Sequence, residues 1–151
     1  MSILRICFIC GEYPPARHGG VGVATQSLAR ALARRGHEVR VIGIRAAEDG
    51  SADSERDEGV RVERLSRCNW PKIGWLKARY HLYRQVAQWA QAGEIDLVEA
   101  PDYEGWTAGW RALPVPVVAR LHGSASYFAA ERGRPLSTVL YRVERMALRR
   151  G

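Results

Sequence analysis

Two hydrophobic rhythms alternate along the chain. ILRICFI (3–9) is a short apolar run broken by Arg5 and predicts a buried strand. After GEYPPARHGG the period changes. Val21, Ala24, Leu28, Ala31 and Leu32 recur at helical spacing, Arg34 and Arg35 suit the negative end of the helix dipole, and Gly36 suits the position past the last turn. EVRVIGI (38–44) predicts a second strand and VRVERL (60–65) a third, whose Arg61, Glu63 and Arg64 suggest a place near a sheet edge. Between them RAAEDGSADSERDEG (45–59) has no period and predicts a solvated loop.

Residues 73–92 predict the longest helix. Lys77, His81, Arg84, Gln88 and Gln91 form a polar stripe; Leu76, Tyr80, Tyr83, Ala87 and Ala90 form an apolar one, widened by Leu82 and Val86 and flanked by Trp75 and Trp89. IDLVEA (95–100) predicts a fourth strand, YEGWTAGW (103–110) a short helix, and VPVVARL (115–121) a fifth strand ending at His122-Gly123. A last helix carries Leu136, Leu140, Val143 and Ala147 on one face. No internal repeat is present. Strands alternating with helices predict an α/β fold, a Rossmann-like parallel sheet with helices on both faces.

Composition narrows the class. At 151 residues, 46% hydrophobic and 26% charged, the chain is sized for one soluble domain with a real core. No apolar run approaches the ~20 residues of a spanning helix, and MSILRICFIC is too short and strand-like for a signal peptide. These features predict a cytoplasmic protein. Cys7 and Cys10 form a C-x-x-C inside a strand, where residues three apart face opposite ways, and only Cys68 remains elsewhere. Reduced core thiols are expected, and no ligand cluster implies a metal.

The net charge of +7, with pI ≈ 9.8, admits nucleic acid, an anionic membrane or a phosphorylated ligand. Arg61, Arg64, Arg67, Lys72, Lys77, Arg79 and Arg84 concentrate the excess between residues 61 and 84, against Glu63 alone. No stripe interleaves cations with exposed aromatics as nucleic-acid modules do, so nucleic acid is not expected. The basic helix with its tryptophans leaves two readings: a face resting on the inner surface of a membrane, or a helix packed on the sheet whose arginines snorkel to solvent.

The stretch after the first strand carries the candidate chemistry. A strand, a glycine turn and a helix N-terminus together favour an anion. Gly20-Val21-Gly22-Val23-Ala24-Thr25 lacks the last glycine of a dinucleotide fingerprint, and no P-loop occurs. Ligands of such sheets bind beyond the carboxyl ends of the strands. If the first strand is central, its neighbours bring Gly19-Gly20, the segment Glu99–Glu104 and His122-Gly123 to one rim.

GEYPPARHGGVGVATQSLARALARRGHEVRVI, followed in order by IDLVEAPDYEG and VPVVARLHGS, resembles the N-terminal half of the retaining, GT-B-fold glycosyltransferases of family 4. The resemblance spans nearly the whole chain. It implies that Gly19 and Gly20 form the turn near the donor diphosphate and the acceptor, where a side chain would occupy the phosphates' space. It places His122 in the active-site cleft near the donor sugar, with Glu99, Asp102, Tyr103 and Glu104 lining the acceptor side. It implies no cofactor beyond a nucleotide sugar as co-substrate, and a sugar, lipid-linked or small-molecule acceptor. The family's second domain, which carries most nucleotide-sugar contacts, has no counterpart before Gly151. The resemblance therefore implies that residues 1–151 are a single acceptor-side domain, inactive without its donor half. The alternative is a stand-alone, non-catalytic α/β module that binds a phosphorylated or acidic ligand.

Overall fold

In the computed structural model of the protein, which describes residues 2–15, 19–45, 50–67 and 73–149, β1 (Arg5–Ile9) runs up the middle of a six-stranded sheet. On one side of it lie β2 (Glu38–Arg45), β4 (Val60–Ser66) and β3 (Ser54–Asp57); on the other lie β5 (Leu97–Pro101) and β6 (Val117–Arg120). Every neighbouring pair is parallel except β3–β4, so the Rossmann-like α/β expectation holds with one antiparallel edge added.

That edge is a correction. Residues 54–57 were expected in a solvated loop, but they pair with β4 across a two-residue turn, Glu58–Gly59, both at positive φ (45° and 90°). Such a turn matches the twist of a hairpin. β4 lies next to the edge strand, near the sheet edge as its charges suggest, but its Arg64 is buried and paired with Glu55 of β3 at 2.6 Å.

Helices cover both faces. α1 (Gly20–Arg34) lays Leu28, Ala29 and Leu32 over Ile6, Phe8, Val39, Val41 and Val62. α2 (Gly74–Gln91) lays Leu82, Val86, Trp89 and Ala90 over Cys7, Ile9, Ile42 and Val98. Alternation along β1 sends Cys7 to the α2 side and Cys10 to the α1 side, both buried, as strand geometry requires. Cys68 and Lys72 lie outside the described residues.

The apolar stripe of α2 is rotated from the expected one. Ala78, Leu82, Val86 and Trp89 form its buried face, Ala87 and Ala90 are also covered, and Leu76 and Tyr80 stand in solvent. The short helix expected in YEGWTAGW is instead a series of turns, because Glu104, Gly105 and Gly109 all take positive φ and break any helical run. Trp106 and Trp110 still reach the α2-side core. The chain then adds a helix not expected from its pattern, α3 (Ala125–Glu131), before α4 (Thr138–Leu148).

Candidate functional site

The strand order decides what can meet. β1, β5 and β6 are consecutive and parallel, so the loops leaving their carboxyl ends emerge on one rim. Those loops carry Gly19-Gly20, Asp102–Glu104 and His122-Gly123.

The glycine loop is fixed from beneath. Arg64 donates to the carbonyl oxygens of Tyr13 (3.4 Å) and Pro14 (3.1 Å), and the Tyr13 hydroxyl donates to Asp57 at 2.8 Å. The unforeseen hairpin thus anchors this loop. Where α1 begins, Gly19 is extended (φ −110°, ψ −165°) and its N–H donates to Glu12 Oε2 at 3.1 Å. Val23 is the first residue to bond back, to the Gly19 carbonyl, so the N–H groups of Gly20, Val21 and Gly22 have no intrahelical acceptor. The first turn holds no acidic residue.

Neither glycine is required by backbone conformation, since neither takes positive φ. A Cβ on Gly20 would meet nothing within 4 Å, and one on Gly19 only the flexible end of Glu12, at 3.1 Å. Gly43 of β2 differs: its Cβ would fall 2.2 Å from the Cys10 carbonyl oxygen, where the chain leaves β1.

On the β5–β6 side, carboxylates act as backbone clamps. Asp102 is buried and takes the N–H of His122 on one oxygen (2.9 Å) and that of Gly123 on the other (3.2 Å). Gly123 turns at φ 101° directly against the Phe128 ring, a position only glycine fills without strain. Glu99 sits within β5 and forks onto Arg120 of β6 at 2.5 and 2.8 Å, so its carboxylate is committed to a neighbouring strand.

Glu144 of α4 escaped the sequence reading. It is 1% exposed and accepts the N–H groups of Glu104 (3.0 Å), Ala125 (3.1 Å) and Ser126 (2.9 Å), together with the Ser126 hydroxyl. Burial alone would raise its pKa; these donors outweigh burial and hold the carboxyl below the ordinary glutamate range. Ser124 Oγ takes the Tyr127 N–H, so the first turn of α3 is fully capped from within. Arg79 of α2 completes the mount, donating to the carbonyls of Glu104 (2.8 Å) and Gly105 (2.9 Å) while stacking 4.9 Å over Trp106.

Of the residues singled out on the acceptor side, Glu104 keeps its side chain exposed while the Tyr103 hydroxyl is buried. Glu104's carboxylate is exposed, 4.0 Å from Arg79. Burial, with Cys10 and Glu12 nearby, pushes the Tyr103 phenol above its ordinary range, and its buried hydroxyl has no hydrogen-bond partner among the described residues. No group of His, Cys, Asp and Glu among the described residues has the makings of a metal site. A cavity of about 300 Å³, lined by Trp110, Leu113, Val115 and Val117, lies at the start of β6, away from this rim.

The family model for glycosyltransferase family 4 matches residues 18–151. The chain belongs to glycosyltransferase family 4. Its fold is similar to the catalytic domain of starch synthase IV from Arabidopsis thaliana, a structure bound to ADP and acarbose, with a TM-score of 0.59 at 17% identity. That likeness covers 81% of this chain and 34% of the starch synthase chain, so this family 4 domain spans about a third of the length of the protein it resembles. Among curated protein sequences, no relative matches it.

Proposed function

We propose that this family 4 domain is the acceptor-side half of a nucleotide-sugar-dependent, retaining glycosyltransferase. The single observation that carries the reading is the glycine pair. Folding demands neither residue, yet Gly20 opens onto empty space beside uncapped N–H groups on a rim shared with His122. In this reading the α1 N-terminus meets the donor diphosphate, because its N–H groups and dipole favour negative charge. α3 offers no such place, its first turn being closed by Glu144 and Ser124.

His122 hydrogen-bonds a sugar hydroxyl from the β6 end, which an imidazole can do in either protonation state. Asp102 acts through it as a positioning residue. The acceptor, a sugar, lipid-linked or small molecule, enters past Tyr103 and Glu104. A separate donor domain supplies the remaining nucleotide-sugar contacts, so residues 1–151 alone catalyse no transfer. The protein works in the cytoplasm; no described helix is long and apolar enough to cross a membrane.

The test uses the full-length enzyme and labelled nucleotide sugars. Gly20→Val is expected to cut transfer at least tenfold, about 1.4 kcal/mol of transition-state stabilisation, with a thermal midpoint within a few degrees of wild type. His122→Ala behaves likewise. Activity that survives while stability collapses assigns the glycines to the backbone and ends the reading. Transfer by residues 1–151 alone ends the acceptor-half assignment.

A further inference from the structure

The β3–β4 hairpin sets two charged side chains against the glycine loop, and each joins parts of the rim that the sheet leaves independent. Asp57, the last residue of β3, accepts the hydroxyl of fully buried Tyr13 at 2.8 Å. The same carboxylate accepts Gln26 Nε2 (3.1 Å) and both Arg30 Nε and Nη2 (2.9 and 2.6 Å) from α1. Tyr13 stands where the loop begins, and α1 is the helix it runs into. One carboxylate therefore fixes the two ends of the loop against each other. A helix held at Gln26 and Arg30 is a rod, so its first residue, Gly20, stands at a set distance, roughly 9 Å along the axis from Gln26.

Arg64 of β4 grips the loop itself. Its buried guanidinium pairs with Glu55 and donates to the carbonyls of Ala52 (3.2 Å), Tyr13 (3.4 Å) and Pro14 (3.1 Å). Carbonyls beyond the end of a strand need donors from elsewhere. Stability alone does not explain a charge here, because apolar residues of similar volume commonly replace a buried ion pair at no loss. Holding two successive carbonyls while satisfying a carboxylate is work for a fork, which neither an apolar side chain nor an ammonium supplies.

We propose that Asp57 and Arg64 are positioning residues for the donor diphosphate, acting through Tyr13 and α1 to set where the open N–H groups of Gly20, Val21 and Gly22 stand. Their part toward the donor rests on the function proposed above; their hold on the loop does not.

Two variants test it. Tyr13→Phe removes one hydroxyl at nearly constant volume and leaves Gln26 and Arg30 on Asp57, so the fold is kept. Arg64→Lys keeps a cation beside Glu55 but loses the fork, and Tyr13→Phe alone carries the test if this variant does not fold. Amide exchange of the chain, followed by NMR, reads the hold on the loop. The Val23 N–H, which closes the first turn of α1 onto Gly19, should exchange roughly tenfold faster in both variants. The Val98 N–H, bonded to Pro116 on the other side of the sheet, should keep its wild-type rate.

Transfer by the full-length enzyme from labelled nucleotide sugars reads the role. KM for the donor should rise roughly tenfold while KM for the acceptor stays constant. A smaller folded fraction lowers apparent kcat and moves neither KM. Glu94→Gln, which weakens the pair with Arg40 at the opposite end of the sheet, supplies that comparison.

Wild-type exchange at Val23 in Tyr13→Phe overturns the proposal. So does a donor KM that stays constant, or one that rises together with the acceptor KM. A wild-type enzyme that transfers from no nucleotide sugar refutes the glycosyl-transfer reading instead, and Val23 exchange, which needs no donor, still decides whether the hairpin holds the loop.

Discussion

Glu144→Ala tests how the rim is held. The substitution strips one buried acceptor group from the N–H groups of Glu104, Ala125 and Ser126 and from the Ser126 hydroxyl. Hydrogen bonds to a charged group contribute about 1.5–3 kcal/mol each, but the four do not add. Burying the carboxylate itself costs several kcal/mol, and water entering the vacated space satisfies part of what it leaves. A net loss of about 3 kcal/mol follows. At about 2–4 °C per kcal/mol for a domain of this size, the midpoint falls by roughly 6–12 °C.

Glu144→Gln keeps one acceptor oxygen and turns the other into a donor facing donors, so about 2 kcal/mol is lost. The pH dependence separates charge from packing. The folded carboxyl titrates below its unfolded value of about 4.3. Its stabilisation is therefore complete above that value and disappears as pH falls through the lower folded one. The deficit of the glutamine variant should stay constant from neutral pH down to about 5 and narrow below about 4.3. Asp57, whose pKa is lowered by the Arg30 hydrogen bond, loses stability in the same acid range. It does so in both proteins and cancels from the difference. Urea melts of wild type and variant across that range make the measurement. Equal midpoints at neutral pH, or a deficit that does not narrow in acid, refute the clamp.

Two further outcomes are expected. Gly43→Ala should lose about 3 kcal/mol or more, because its Cβ meets backbone at the Cys10 carbonyl, whereas Gly20→Ala should stay within about 1 kcal/mol of wild type; paired thermal melts check both. With Cys68 replaced by serine, burial keeps Cys7 (its thiol pushed up to about 12) and Cys10 unlabelled by a thiol reagent at mildly alkaline pH until urea unfolds the chain; rapid labelling of the native protein contradicts the buried core assigned to both.

The elements that the sequence made legible are those whose order is written in apolar period. β1, α1, β2 and β4 each carry a long enough alternation or stripe to be recognised, and β1 at the centre follows from parallel winding. β3 escaped because Ser54–Asp57 is wholly polar. Its place comes from the backbone ladder and the Arg64–Glu55 pair, and the Glu58–Gly59 turn is its only local signal. The tryptophans at 106 and 110 imitate a helix face through their spacing of four, and turns at positive φ bring the same two rings to the same core. In α2 the period was right and the phase was wrong. Leu76 and Tyr80 lie on the far side of the helix from the arc centred on Leu82, Val86 and Trp89, away from the sheet.

The rim was legible as a place and illegible as a division of labour. Sequence position groups Glu99, Asp102, Tyr103 and Glu104 as one acidic lining, but pairing depends on partners brought from other elements. Arg120 takes Glu99, and the N–H groups of His122 and Gly123 take Asp102. Glu144 is a carboxylate inside the apolar stripe of Leu140, Val143 and Ala147, a position that by itself demands buried donors; only the folded loops supply them. Two carboxylates that look like ligand contacts, Glu99 and Asp102, are thereby spent on geometry together with Glu144, and the negative charge they carry is neutralised by Arg120 or spread over backbone N–H groups. On the proposed reading, what remains for a ligand is the open α1 N-terminus, the His122 ring and Glu104 at the margin. A rim so arranged presents far less repulsion to an anionic group than its sequence suggests. On the function proposed above, that difference is what a loop beginning GEYPP and the segment EAPDYE need in order to share one site with a diphosphate.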